Sequence, residues 1–348
     1  MKILVNTPRL IPHGGVSNHY LGLKDYWTDK VLYNPIGKIS SKQGSGKYRL
    51  PINIVVFIYK LLTFRPDVVL LNPSLSKSAV VRDMIFLRIA KMFGFKVSVF
   101  FHGFDKNSIS KLDLVKLAKN LNRCACIFVL ANEFADIIRS WGVTVPIELT
   151  TTKVDDKLIK DFDVTRRNGE VKNILFLARI TKEKGIFIVL DTFKLLSEKY
   201  PSLCYTVVGA GNELDEAKQY ALDKQIPNIK FTGALTGYAL VTQFKQGDLY
   251  LFTSFHEGMP TSVLEAMAFG LPVVTRPVGG LCDFFENGKM GEMVDSFEAE
   301  DFVPMVEKYL NDKELTKQAS AYNHEYANKH FLASQVALDI QNKIKKYC

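Results

Sequence analysis

Two glutamates stand eight positions apart where a polar turn passes into a helical segment. The stretch 249–275 reads as an apolar strand, a turn with Glu257, a helix with Glu265 and a second strand. Pro260 suits the first turn of that helix, because it has no amide hydrogen to leave unpaired there. One carboxylate before the helix and one in its second turn would border a single cavity at different depths. The pattern predicts two ligand-contacting acids, and the alternative is a capping acid with an ordinary surface glutamate.

The start of the same helix is suited to an anion. Its first amides have no partner within the helix, and the side chains of Thr261 and Ser262 can satisfy some of them. The amides and dipole of a helix start can also bind a phosphate. Arg179 and Lys184 follow another apolar strand, and two cations there suit a diphosphate. The alternative, a solvated pair at a helix start, fits less well because early helix positions favour acids.

Short apolar β-rich runs alternate with helical-period segments, which predicts parallel α/β sheets. We expect a domain at 1–150, a polar linker at 151–171, a second domain at 172–330 and a C-terminal helix at 331–348. After Gly291 the pattern predicts helices alone. Two doubly wound, Rossmann-like domains would face a cleft, and ligands bind at the carboxyl ends of parallel strands. The site is therefore expected at that cleft.

The predicted strands fall into two sets of five. They are 2–6, 67–72, 96–101, 126–131 and 146–149 in the first half, and 173–177, 204–208, 229–231, 248–252 and 272–275 in the second.

The composition is that of a globular protein with two cores. The 348 residues are 47% hydrophobic and 23% charged, which excludes a disordered, collagenous or coiled-coil chain. The longest apolar run, 52–64, is shorter than a membrane-spanning helix, which needs about 20 residues. The apolar stretch at the start of the sequence is too short for a secretory signal. Five cysteines without metal-ligand spacing indicate reduced thiols and a cytoplasmic protein.

The positive charge is concentrated in the first half. Residues 38–123 contain 16 basic and 4 acidic side chains. Such a region suits nucleic acid, an anionic membrane surface or an anionic substrate, and the alternative is the solvated surface of a basic protein. The sequence has no recognition-helix or aromatic RNA-binding motif, so we expect no nucleic acid.

The stretch around the two glutamates resembles the Glu-x7-Glu signature of retaining nucleotide-sugar glycosyltransferases of the GT-B fold, family GT4. The resemblance covers nearly the whole chain and is strongest over 173–295. One departure is Ala178, where the family usually has glycine before the arginine. The further stretches similar to family motifs are 176–185 with Arg179 and Lys184, Val207-Val-Gly209-Ala-Gly211, Ile229-Lys-Phe-Thr-Gly233, Val278-Gly279-Gly280 and His13-Gly14-Gly15-Val16.

The resemblance implies transfer of a sugar, with retention and without a metal, from a nucleoside-diphosphate sugar to a saccharide or lipid-linked acceptor. UDP is the favoured nucleotide and GDP the other possibility, and the expected pathway is surface polysaccharide or glycolipid biosynthesis. The catalytic set it implies is Glu257, His102, Arg179 and Lys184. The donor-binding set is Gly14, Gly15, Gly209, Gly233, Gly258, Met259, Pro260, Thr261 and Glu265. His102 ends a predicted strand, where a lone histidine also has a structural explanation.

Other chemistries have partial motifs in the sequence. Gly209 and Gly211 lack the third glycine of a dinucleotide fingerprint, so no nicotinamide cofactor is expected. Asp161 and Asp163 form the one Asp-x-Asp, but they lie in the predicted linker without a preceding strand, so we interpret them as a coincidence and expect no metal.

A nucleotide-sugar epimerase of the same fold is the enzymatic alternative, since the cofactor-lysine segment of a phosphorylase is missing. A basic nucleic-acid-binding protein is the other alternative. The basic region also predicts peripheral association with the inner face of the cytoplasmic membrane.

Overall fold

The computed structural model forms two compact units. The first comprises Met1–Lys153 and Ala333–Cys348, and the second comprises Val154–Leu332. Each contains a parallel sheet of six strands with helices around it, as the alternating pattern predicts. The described residues are 1–11, 14–36, 49–73, 77–103 and 109–348. Within these ranges, no helix is both long enough and apolar enough to cross a bilayer.

The sheet of the first unit has the strand order β2-β1-β3-β4-β5-β6. Its strands are β1 (Lys2–Pro8), β2 (Lys30–Ile36), β3 (Val68–Leu71), β4 (Lys96–Phe100), β5 (Cys126–Val129) and β6 (Ile147–Leu149). Its first five helices in the described ranges are α1 (Gly15–Leu23), α2 (Leu50–Phe64), α3 (Lys77–Met92), α4 (Leu114–Leu121) and α5 (Asn132–Ser140). All four residues of β3 are buried, as in a strand covered on both faces. The chain order reverses at β1, so the loops after β1 and β3 diverge and leave a crevice at the carboxyl edge.

The sheet of the second unit has the order β12-β11-β10-β7-β8-β9. Its strands are β7 (Asn173–Leu177), β8 (Cys204–Val208), β9 (Ile229–Gly233), β10 (Leu249–Phe252), β11 (Val273–Thr275) and β12 (Gly291–Met293). Its helices in the described ranges are α6 (Asp156–Ile159), α7 (Ile186–Lys199), α8 (Leu214–Asp223), α9 (Gly237–Gln246), α10 (Thr261–Ala268), α11 (Ala299–Asn311) and α12 (Lys313–His330). The order reverses between β7 and β10, which is the position where doubly wound sheets bind ligands.

Two strands were missed by the sequence pattern, and both lie at a sheet edge. β2 pairs in parallel with β1 although it contains Asn34 and Pro35. Proline is tolerated at an edge, where its missing amide hydrogen removes no ladder bond. β12 has three residues and pairs with β11, so the expectation of helices alone after Gly291 was wrong.

The predicted linker and the C-terminal helix each belong to a unit. Arg167 donates hydrogen bonds to the carbonyl oxygens of Phe269, Gly247 and Phe244, which ties the polar segment after Val154 to the second unit. The last helix, α13 (Ala333–Tyr347), belongs to the first unit. There the side chain of Gln341 accepts hydrogen bonds from the amides of Thr28 and Asp29.

Candidate active site

The loops that follow β7 and β10 are hydrogen-bonded to each other. The Thr253 hydroxyl donates to the carbonyl oxygen of Gly185 at 2.8 Å, and the Phe255 amide donates to that of Glu183 at 2.8 Å. A Cβ atom on Gly185 would lie 2.2 Å from the Thr253 carbonyl oxygen, and the φ of Gly185 is +74°. Only glycine allows this close approach. The two strand ends are therefore held in contact at the point where the sheet order reverses.

This contact brings Lys184 and Glu257 together. Lys184 Nζ lies 2.5 Å from Glu257 Oε1, and the two side chains are 21% and 16% exposed. The sequence pattern predicted both residues at the site but not their contact. Because the pair is still reached by water, its stabilising effect is modest. A diphosphate can therefore compete with Glu257 for the ammonium group.

The helix of the glutamate motif begins at Thr261, and Pro260 occupies the capping position just before it. The Pro260 side chain makes no hydrogen bond to the start of this helix. The Ser262 hydroxyl is hydrogen-bonded to Tyr250, and capping of the helix by Thr261 and Ser262 stays a prediction. Met259 and Pro260 are buried, whereas Gly258 is partly exposed.

Tyr250 lies beside both glutamates and was missed by the sequence reasoning. It is fully buried, and its hydroxyl donates to the Leu177 carbonyl oxygen at 2.8 Å. Burial raises the pKa of Tyr250, and the charges of Glu265 and Glu257 raise it further. Glu265 itself is half-buried rather than enclosed, although its sequence neighbours are buried. The only sequence signal for Tyr250 is a hydroxyl-bearing residue in an otherwise apolar strand.

Arg179 projects from the loop after β7 and is exposed. The loop after β8 packs against the same segment. A Cβ atom on Gly209 would lie 1.9 Å from the Ala178 carbonyl oxygen, and one on Gly211 would lie 2.1 Å from that of Ile180. Gly209 is thus required by backbone packing. Gly233 ends β9, and its carbonyl oxygen accepts a hydrogen bond from the Gly209 amide.

The first unit contains the remaining predicted residues. Gly14 has a φ of +95° and directly precedes α1, and Gly15 is the first residue of that helix. His102 follows β4 and is hydrogen-bonded to Asn72, which follows β3. Burial lowers the pKa of His102 to about 3. The residue His13 of the same predicted motif lies outside the described residues.

Asp163 has a local structural role. It accepts hydrogen bonds from the Thr165 amide at 3.0 Å and the Thr165 hydroxyl at 2.6 Å, which caps the turn Val164–Arg166. Within the described ranges, no three histidine, cysteine, aspartate or glutamate side chains are grouped so that they could hold a metal ion.

Gly279 sets the position of the backbone that carries Glu257. A Cβ atom on Gly279 would lie 2.3 Å from the Gly258 carbonyl oxygen and 2.5 Å from that of Glu257, at a φ of +53°. We therefore expect Gly279→Ala to lower the free energy of unfolding by about 1–3 kcal/mol and to weaken nucleotide binding. Gly288→Ala is the matched control, because Gly288 has a φ of +79° but open space around its Cβ. Equal effects of the two variants on nucleotide binding would contradict this assignment.

Two Rossmann-type units, each with the predicted polar residues at the carboxyl edge of its parallel sheet, define the GT-B class of fold. Residues 159–326 match the model of the family described as "Glycosyl transferases group 1". This match covers the part of the chain that forms most of the second unit.

Individual proteins are similar to the chain as well. The capsular polysaccharide biosynthesis glycosyltransferase CapM of Staphylococcus aureus is 24% identical over 233 residues, which are 66% of this chain and 60% of CapM. This chain therefore spans less than two thirds of that relative. Among solved structures, Anabaena HepE in complex with UDP and glucose has a TM-score of 0.73 at 18% identity, covering 99% of this chain and 100% of HepE. Sucrose-phosphate synthase of Thermosynechococcus elongatus has a TM-score of 0.76 at 15% identity, covering 99% of this chain and 98% of the synthase. These two likenesses concern the fold.

Proposed function

We propose that this protein is a glycosyltransferase that moves a sugar, with retention of configuration, from a nucleoside-diphosphate sugar to a saccharide or lipid-linked acceptor. The observation that carries the proposal is the contact between Lys184 and Glu257 where the sheet order reverses. It places a cation suited to a diphosphate beside an acid suited to a sugar. UDP is the proposed nucleotide, which agrees with the UDP bound to HepE. The name of CapM supports a role in polysaccharide biosynthesis.

The proposed reaction develops opposite charges on its two partners. The bond from the anomeric carbon to the phosphate oxygen breaks, and a bond to the acceptor oxygen forms on the same face. The proton of the acceptor hydroxyl passes to the departing phosphate. Arg179, Lys184 and the first amides of α10 would stabilise the leaving diphosphate without a metal, and Glu257 would stabilise the positive charge at the anomeric carbon. Glu265 would accept hydrogen bonds from the ribose hydroxyls.

Thermal unfolding in the presence of UDP, GDP, ADP or CMP, each with EDTA or Mg²⁺, tests this donor site. A ligand at about 100 times its Kd adds about 2.7 kcal/mol, which is enough to raise the midpoint visibly. We expect stabilisation by UDP in EDTA, and a smaller effect of UDP on Glu265→Ala. Glu314→Ala, at an exposed glutamate of α12, should respond like the parent protein. A requirement for Mg²⁺, or no effect of any nucleotide, would contradict the proposal.

An acceptor assay separates transfer from the alternative activity on the same fold. A nucleotide-sugar epimerase converts the donor without an acceptor, whereas a transferase releases the free nucleotide in proportion to the acceptor added. An altered sugar on the donor in the absence of any acceptor, without net release of the free nucleotide, would favour the epimerase.

We propose that the first unit, which would bind the acceptor, lies at an anionic membrane surface. α2 has no acidic residue and exposes an apolar stripe: Ile52, Val55, Val56, Tyr59 and Leu62 are 40–66% exposed. An outward apolar stripe in a region of 16 basic and 4 acidic side chains suits anionic lipid, whereas a second copy of this basic region would repel it. Of the region 38–123, residues 38–48, 74–76 and 104–108 lie outside the described residues.

Flotation with vesicles tests this partner. We expect binding to phosphatidylglycerol vesicles, weaker binding to phosphatidylcholine vesicles, and release by high salt. The double variant Val55→Glu/Tyr59→Glu should lose most of the binding. Leu222→Glu, at a 70% exposed position of the second unit, is the control and should bind like the parent protein. Equal binding of all three proteins would contradict a role for α2.

A further inference from the structure

Five polar residues at the carboxyl edge of the first unit form a hydrogen-bond network centred on Asn72. Asn72 Nδ2 donates to the Asn6 carbonyl oxygen at 2.8 Å. The Tyr20 hydroxyl donates to Asn72 Oδ1 at 2.7 Å, and His102 Nε2 lies 2.9 Å from the same oxygen. Asn6 Oδ1 accepts in turn from Asn34 Nδ2 at 2.9 Å. Tyr20, Asn72, Asn6 and Asn34 are buried.

These contacts determine which nitrogen of His102 carries the proton. The amide group of Asn72 has one orientation, because its Nδ2 must face a backbone carbonyl oxygen that can only accept. Its Oδ1 is therefore turned toward His102, and this oxygen can only accept as well. The hydrogen of that contact must come from His102 Nε2. A neutral imidazole has a single N–H, so Nδ1 is left with its lone pair.

The ring plane of His102 is also held in place. The Phe100 ring stacks on it with the centroids 3.7 Å apart and the planes at 29°. The buried His19 ring meets it edge-on, with the centroids 5.0 Å apart. Burial lowers the pKa of His102 to about 3, so the ring stays neutral throughout the physiological range. Its acceptor nitrogen is thus fixed in both direction and protonation.

We propose that Asn72, to which the Tyr20 hydroxyl also donates, is a positioning residue that fixes His102 as the Nε2–H tautomer, so that its Nδ1 is a hydrogen-bond acceptor. Any substrate group that meets this nitrogen must donate a hydrogen. A hydroxyl group of a sugar satisfies this condition, whereas an unprotonated phosphate oxygen does not. The assignment of that donor to a sugar rests on the proposed function, but the tautomer itself does not.

The tautomer can be measured directly in the full chain. Protein labelled with ¹⁵N in its 6 histidines is examined by long-range ¹H–¹⁵N correlation, and His102→Gln identifies the His102 signals by their disappearance. In the parent protein we expect the neutral Nε2–H pattern from about pH 5 to pH 8. An Nδ1–H pattern or an imidazolium signal in that range would overturn the proposal, whether or not the protein transfers sugar.

Variants of Asn72 test the positioning role. Asn72→Leu removes the acceptor and should give a mixture of both tautomers, with kcat for transfer reduced at least 10-fold and UDP affinity unchanged. Asn72→Asp retains an acceptor, and should keep the Nε2–H tautomer, raise the pKa of His102 and recover part of the rate. Unchanged tautomer in Asn72→Leu would refute the role of Asn72. If Asn72→Leu does not fold, an unchanged His102 pKa in Asn72→Asp would refute it equally.

A matched control removes another buried amide. Asn323 in the second unit donates to the carbonyl oxygens of Leu271 and Met290 at 2.8 Å each. Asn323→Leu should lower stability and leave the His102 tautomer as in the parent protein. A tautomer change in this variant too would show that general destabilisation, and not the Asn72 contact, is responsible, and the proposal would fail.

Discussion

Glu257→Gln is expected to lower the rate of sugar transfer by about 100-fold or more and to leave the affinity for free UDP equal or higher. Removing a group that stabilises charge only in the transition state typically costs about 10²–10³ in kcat. The same carboxylate holds Lys184 at 2.5 Å. Glutamine keeps the size of the side chain but not its charge, so it frees the ammonium group for a diphosphate. The rate of sugar transfer should therefore fall while the affinity for UDP stays the same or rises.

Steady-state kinetics with the nucleotide sugar and calorimetry with UDP measure the two effects. Glu292→Gln is the control. Glu292 lies on β12, and its Oε1 forms an ion pair with Lys308 Nζ at 3.1 Å. That variant should change stability only. A Glu257→Gln protein that transfers sugar at the parent rate would remove Glu257 from the reaction. A parallel fall in UDP affinity and rate would make it a nucleotide-binding residue instead.

The residues of the second unit were predictable where local pattern and chemistry coincide. An apolar strand followed by a polar turn and a helix start places Glu257, Arg179 and Lys184 at a strand end by periodicity alone. The ion pair was not predictable, because it joins positions 73 residues apart and depends on a glycine that lets two loops touch. The Tyr250 hydroxyl was missed for a similar reason, since its contact with the Leu177 carbonyl oxygen depends on the pairing of β10 with β7.

Other features depend on tertiary context that the sequence does not show locally. The edge strands β2 and β12 pair on one side only, so they need no long apolar run. The segment after Val154 resembled a linker because it is polar, but its Arg167 meets backbone carbonyl oxygens of the second unit. In the first unit the sequence pointed to His102, but nothing in the pattern indicated Asn72, 30 residues away, as its partner.

Arg179→Ala is expected to weaken UDP binding by about 10- to 100-fold, with a smaller loss for UMP and almost none for uridine. One hydrogen bond to a charged group contributes about 1.5–3 kcal/mol, which corresponds to this range. Arg179 is exposed and makes no ion pair with a described residue, whereas Lys184 must first separate from Glu257. Arg179 can therefore meet the diphosphate without loss of an existing contact.

The structure thus predicts an order of effects between the two cations. Arg179→Ala should weaken UDP binding more than Lys184→Ala does, because only the lysine exchanges one anionic partner for another. Calorimetry with UDP, UMP and uridine on both variants measures that order. Arg166→Ala, at an 86% exposed arginine of the second unit, is the control and should bind all three ligands like the parent protein. Equal losses for UDP and uridine would exclude a diphosphate contact by Arg179. A larger loss in Lys184→Ala would mean that the ion pair with Glu257 opens at little cost when the diphosphate binds.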